Sequence, residues 1–199
     1  MSADTVVVWT IDTRVPVPPD VLDARERHRA GTLLDPDARR RFTTAHAAVR
    51  AIVGRAVAVP PAEVRFTYGV HGKPHTPGVQ LSLAHSGDVS LLALSAHRAV
   101  GVDVQAVPDD GQAARMAARW FPPAEAAGGA DQFTIAWVRK EARVKAAGGR
   151  LVEGLPVRVD GPVADGYRLA DLEVPGRRRA AVALAGVEAY DVVRRSWGG

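Results

Sequence analysis

The chain has 199 residues, 47% hydrophobic and 24% charged, which is enough apolar material for a packed core and excludes a disordered polypeptide. Cysteine is absent, so disulfides, thiolate catalysis and cysteine-based metal sites are excluded, and a cytoplasmic address is expected for a start (Met1 to Asp20) without leader features. The net charge of +4 comes from 26 basic and 22 acidic residues and suits an acidic protein partner as well as nucleic acid, while no run approaches the ~18 apolar residues of a membrane span.

In chain order, the β-branched segment from Thr5 to Ile11 predicts a strand that ends at the proline-rich Pro16 to Pro19. Asp35 and Pro36 form an N-cap and first-turn proline. Phe42, Ala45, Val49, Ile52, Val53 and Ala56 then recur at helical spacing, predicting an amphipathic helix that ends near Pro60. Its opposite face carries Arg39, Thr43, His46 and Arg50, a polar stripe expected to be solvated. A strand is predicted from Val64 to Tyr68, then a glycine- and proline-rich loop, then strands at Val79 to Ala84, Val89 to Ser95 and Ala99 to Gln105. Helical segments follow at Gln112 to Trp120 and Asp131 to Ala147, the second stopped by Gly148-Gly149. Four short strands are expected between Leu155 and Val193, with Arg177-Arg178-Arg179 as a solvated hairpin end. Both halves offer a helix and antiparallel strands, which predicts an α+β fold in one compact body of two lobes.

Three features carry chemistry. In Ala99 to Gln105 the alternation sends Val100, Val102 and Val104 to one face and Gly101, Asp103 and Gln105 to the other, so an acid projects from an apolar strand. In the helix, Trp137, Glu141 and Lys145 lie at i, i+4 and i+8 on one face, which in isolation could be an exposed ion pair contributing about 0.2–0.5 kcal/mol. Lysine is scarce, with Lys73, Lys140 and Lys145 against 23 arginines, so its use at these places points to a compact ammonium where a guanidinium fork does not fit. Asp103 and Glu141 for a hard cation, with Lys73 and Lys145 for phosphates, fit a diphosphate substrate held with Mg²⁺. His85 stands on a turn beside Ser86, and no Walker loop or Gly-x-Gly-x-x-Gly occurs.

These residues resemble the surfactin-synthetase-type, two-lobed 4'-phosphopantetheinyl transferases. The resemblance runs from Asp35 to about Val159 and rests on Gly72-Lys73-Pro74, Leu81 to Gly87 with its His-Ser-Gly, and Gly101-Val102-Asp103-Val104-Gln105. Trp120-Phe121 with Glu125, and Trp137-x-x-Lys140-Glu141-x-x-x-Lys145, complete it. It implies two similar lobes, each of antiparallel strands on a long helix, related by a pseudo-twofold, with the active site at their junction. Residues 1–98 would form the nucleotide-side lobe and 99–199 the lobe with metal and catalytic residues. It further implies transfer of 4'-phosphopantetheine from coenzyme A to a serine of an acidic acyl or peptidyl carrier protein, serving polyketide, nonribosomal peptide or fatty acid biosynthesis. Asp103 and Glu141, with Gln105 beside them, would bind Mg²⁺; Lys145 would neutralise the attacked phosphate and Glu141 would be the base. Arg41, Gly72, Lys73, Pro74, His85 and Ser86 would hold coenzyme A, and a monomer would suffice. Ala84 and Gln105 depart from the family pattern, which often has serine and a second acid there. Two alternatives stand beside this reading: a catalytically weak coenzyme A binder and a basic nucleic-acid-binding module, the latter without any recognisable motif.

Overall fold

The computed structural model describes residues 5–17, 19–126 and 128–198. β1 (Thr5–Asp12) leads through a short 3-10 turn to α1 (Ala24–Thr32), for which the sequence analysis has no element. Asp23 caps α1: it accepts from the Glu26 amide at 2.8 Å while Glu26 accepts from the Asp23 amide at 3.0 Å. α2 (Pro36–Val57) has the expected Asp35 cap and Pro36 start and ends at Ala58 in a left-handed conformation. β2 (Thr67–Tyr68) and β3 (Pro74–His75) form a small hairpin. The strand expected from Val64 is shortened to its last two residues because the Val64 carbonyl accepts from Arg50 instead of a neighbouring strand.

Next come β4 (Gln80–Ser86), β5 (Val89–Ser95) and β6 (Val100–Ala106), each close to its expected position. The helices α3 (Asp110–Trp120), α4 (Pro123–Ala126), α5 (Ala130–Ala147) and α6 (Leu151–Gly154) follow. β7 (Val163–Ala164), β8 (Tyr167–Leu172), β9 (Arg178–Ala185) and β10 (Asp191–Trp197) complete the chain. The four expected tail strands are present but begin at Val163 rather than near Leu155, since residues 155–162 form turns and irregular chain.

The strands form two four-stranded sheets in the orders β10-β1-β5-β4 and β6-β9-β8-β7. All pairings in them are antiparallel except β1 with β10, so the last strand returns to the first sheet. Val6, Val8, Leu91 and Ala93 of the first sheet meet Val100, Val102, Val104 and Val182 of the second in one core. The outer face of the first sheet packs on α2 through Val49, Ile52 and Val53, and that of the second packs on α5 through Val138, Ala142 and Ala146. The result is an α+β molecule with helices outside two sheets.

Two surface expectations are corrected. Arg50, expected on a solvated stripe, is fully buried and bonds Glu26 and Asp23 at 2.5 Å each and the Val64 carbonyl at 2.9 Å. Arg178 and Arg179, expected at a solvated hairpin end, lie half-buried in β9. Arg178 donates to the Ser86 carbonyl at 3.2 Å and Arg179 pairs with Asp131, because β9 runs beside the turn after β4 and the start of α5.

The α5 backbone rests directly on β6. A Cβ at Gly101 would stand 1.9 Å from the Ala142 carbonyl oxygen and 2.3 Å from the Ala146 nitrogen. Gly101→Ala should therefore destabilise the fold by about 3 kcal/mol or more, the upper range for overpacking against backbone. Gly31→Ala, in open space on α1, should be neutral or slightly stabilising. Urea unfolding of both variants checks the contrast, and equal midpoints would refute the close contact.

Candidate active site

The Gly101 contact brings α5 against the face of β6 that carries Asp103. Asp103 is 7% exposed, and its Oδ1 accepts from Lys145 Nζ at 2.6 Å. Burial pushes the Asp103 carboxyl up, with Lys145 acting against it. Burial and then the charge of Asp103 likewise push Glu141 up, again opposed by Lys145. Two carboxylates and one ammonium thus stand near one another, and burial, the largest cause for both acids, raises the proton affinity of Asp103 and Glu141. Among the described residues no group of three or more His, Cys, Asp or Glu could hold a metal by itself. A Mg²⁺ ion fits the Asp103 and Glu141 pair only if substrate phosphates and water supply its other ligands, which is how this ion is commonly bound.

Gln105 shares the Asp103 face by strand alternation but is exposed, and it pairs in register with Arg179. Lys145, its side chain 32% exposed, reaches from this group into a cavity of about 300 Å³ that is also lined by Tyr68, Gly72, Lys73, Pro74 and Gly148. Lys73 crosses from the β2–β3 loop to α5 and donates to the carbonyls of Val100, Lys145 and Ala146 at 3.0, 2.6 and 2.9 Å. Burial pulls its ammonium down to about 8. His85 is bonded through Nδ1 to Ser90 Oγ at 2.8 Å; partial enclosure, then His46 and Lys145, lower its pKa, so it is a neutral imidazole at pH 7. Ser86 offers its carbonyl to Arg178, and Arg41 faces Asp35 and Asp88 at 3.5 and 3.8 Å. The structure thus brings Asp103, Glu141 and Lys145 together and Gly72, Lys73 and Pro74 around the cavity. Of the acid and lysine group only Lys145 lines it; Asp103, Glu141, Gln105, His85, Ser86 and Arg41 do not.

Sequence reasoning missed part of the wall. Glu26 and His46 line the same cavity, and His46 Nδ1 lies 3.1 Å from Glu26 Oε1. Burial pushes Glu26 up, but hydrogen bonds from His46 and Arg50 outweigh it and hold its carboxyl below the usual range. The Asp23-x-x-Glu26 capping signature was the available signal for this helix. Lys140 is buried and does not reach the cavity: it donates to Glu125 at 2.7 Å, to the Leu155 carbonyl at 2.9 Å and to the Val157 carbonyl.

The model of the 4'-phosphopantetheinyl transferase superfamily matches residues 99–175, the segment from the start of β6 past α5 to the end of β8. The slr0495 protein of Synechocystis sp., which carries the name 4'-phosphopantetheinyl transferase provisionally, is 30% identical over 164 residues, 74% of this chain and 67% of that protein. The 4'-phosphopantetheinyl transferase HetI of Nostoc sp. is 32% identical over 110 residues, 52% of this chain and 46% of HetI. The chain therefore spans about two thirds of one relative's length and under half of the other's.

The raised Glu141 carboxyl predicts a pH signature. Between its ordinary value and its raised folded value, the folded state binds more protons than the unfolded state, so stability falls as pH rises through that window. Glu141→Gln removes this loss. The variant should melt above wild type at pH 7, with the gap narrowing at pH 4; a gap that does not change with pH would refute the strained carboxylate pair.

Proposed function

Since the chain belongs to the 4'-phosphopantetheinyl transferases, a family of transferase enzymes, we propose that it moves 4'-phosphopantetheine from coenzyme A to a serine of an acyl or peptidyl carrier protein. The observation that carries the reading is the joining of Asp103, Glu141 and Lys145 at the edge of a cavity walled by Gly72, Lys73 and Pro74. In this reading the chain works as the two-lobed, surfactin-synthetase type. Residues 1–98 supply the coenzyme A side and 99–199 the reacting side, with β10 crossing back to the first sheet.

The roles follow from phosphoryl-transfer chemistry, in which positioning and charge neutralisation do most of the work. Asp103 and Glu141 would hold Mg²⁺, which supplies positive charge to the pyrophosphate when bound, and Gln105 would stand beside it. Lys145 neutralises the phosphate under attack. The carrier serine oxygen forms the new bond to phosphorus, the bond to the 3',5'-adenosine diphosphate oxygen breaks, and the serine proton passes to Glu141 directly or through water. A raised carboxyl pKa makes Glu141 a better proton acceptor at neutral pH than an ordinary glutamate. The Gly72-Lys73-Pro74 backbone would take the adenine, and Arg41, His85 and Ser86 would hold the nucleotide end from outside the cavity wall. The +4 net charge assists encounter with an acidic carrier.

Mass spectrometry of an apo carrier protein incubated with coenzyme A and Mg²⁺ tests the reaction: the carrier should gain one phosphopantetheine. Excess chelator should stop the transfer, and Asp103→Ala should slow it by about 10²-fold or more, the scale for losing a charge-stabilising group, without unfolding the protein. An unmodified carrier with every carrier class offered would overturn the reading, and undiminished turnover in chelator would overturn the metal's part in it. Gln105→Glu places a second strand acid near the Asp103 face, so the Mg²⁺ concentration for half-maximal activity should fall. An unchanged midpoint would place Gln105 outside the metal's reach.

A further inference from the structure

Lys73 stands in the loop between β2 and β3, which is closed by the Gly69 amide on the Lys73 carbonyl and the Gly72 amide on the Gly69 carbonyl, both at 2.9 Å. Its ammonium leaves this loop and ends on the opposite half of the molecule, among the carbonyls of Val100, Lys145 and Ala146. A lysine ammonium has three donors and no acceptor, so these three oxygens use all of it. Two of them belong to the last turn of α5, where carbonyls lack partners within the helix and carry the negative end of its dipole. Gly148 ends that helix in the left-handed conformation, φ 69°, and a side chain there would meet the Lys73 stem at 3.8 Å. The same residue, Lys145, is thus held at its carbonyl by Lys73 and at its ammonium by Asp103.

We propose that Lys73 is a positioning residue that ties the Gly72–Pro74 loop to the C-terminal turn of α5 and sets the reach of Lys145. Its side chain is a strut between the two halves rather than a phosphate ligand. The inference rests on the phosphopantetheinyl transfer reading for its kinetic test but not for its structural one. A strut and a phosphate ligand predict different substrate dependence. If Lys73 holds the 3'-phosphate, its loss harms coenzyme A and spares 3'-dephospho-coenzyme A. If it positions Lys145, both donors suffer alike and the loss appears in kcat.

Steady-state carrier modification by wild type, Lys73→Met and Lys73→Arg, with both donors, separates the two. Lys73→Met should lower kcat at least about tenfold, the scale of losing one hydrogen bond from a charged group, with an unchanged ratio of kcat/KM between the donors. Lys73→Arg keeps the charge and should recover part of kcat. A fall in kcat/KM confined to coenzyme A would overturn the proposal. The second measurement needs no ligand: amide exchange at Gly148 and Gly149, whose N–H groups bond the Lys145 and Val144 carbonyls, should quicken at least about tenfold in Lys73→Met. Unchanged exchange would overturn the strut. Should Lys73→Met fail to fold, Lys73→Gln, which keeps a donor but no charge, is read by the same criteria. Wild-type protein that transfers nothing would refute the transferase reading alone, and the exchange experiment would still decide the strut.

Discussion

The site depends on the absence of one side chain. At Gly101 the backbone of α5 comes close enough to β6 that a methyl group would overlap the Ala142 carbonyl. Glu141 and Lys145, one helical turn apart, flank that point of contact. Asp103 lies two residues farther along the strand, roughly 6.6 Å, against a helical turn of about 5.4 Å. The near match of these repeats lets one strand carboxylate lie within reach of both helix residues. Any larger residue at 101 would move the helix outward and part the three groups together.

How far this was legible in the sequence varied with the range of the interaction. The Asp35-Pro36 start, the Gly148 stop and the alternation of β6 are local patterns, and they predicted α2, α5 and the Asp103 face correctly. The α+β class followed from the same patterns. The burial of Arg50 was not legible, because its partners Glu26 and Asp23 lie 24 and 27 residues away and only the docking of α1 on α2 brings them near. The lysine argument was legible in part. The three lysines have different partners: Lys73, in the cavity wall, meets backbone carbonyls, Lys140 meets Glu125 and carbonyls away from the cavity, and Lys145 lines the cavity with Asp103 as its partner. Scarcity singled out the three positions and left open what each bonds.

Two acidic groups differ in a way that separates support from reactivity: Glu26, which lines the cavity, and the pair Asp103 and Glu141, which meets it through Lys145. Glu26 is 3% exposed, less than Asp103 at 7%, but its hydrogen bonds to His46 and Arg50 keep its proton affinity low. Asp103 and Glu141 have one ammonium between them and are pushed the other way. A cluster satisfied by the fold gains little from a ligand. A carboxylate pair whose charge is disfavoured by burial would gain more from a bound cation than one already neutralised by the fold.

Of the two departures from the family pattern, Ala84 becomes intelligible from packing. Ala84 is 2% exposed and faces the core between the sheets, beside Leu91 and the valines of β6, where a hydroxyl would need a partner that this core lacks. The hydroxyls of that region are already engaged: Ser90 on His85, and Ser82 on the Val102 amide at 3.1 Å, which joins β4 to β6. Gln105 lies opposite Arg179, and Arg179 is committed to Asp131 in the first turn of α5. The helix is then held by Arg179 at its start and, over its last turns, by the Gly101 contact at Ala142 and Ala146 and by Lys73 at the Lys145 and Ala146 carbonyls. Three attachments along 18 residues give Glu141 and Lys145 the fixed positions that charge neutralisation in phosphoryl transfer requires.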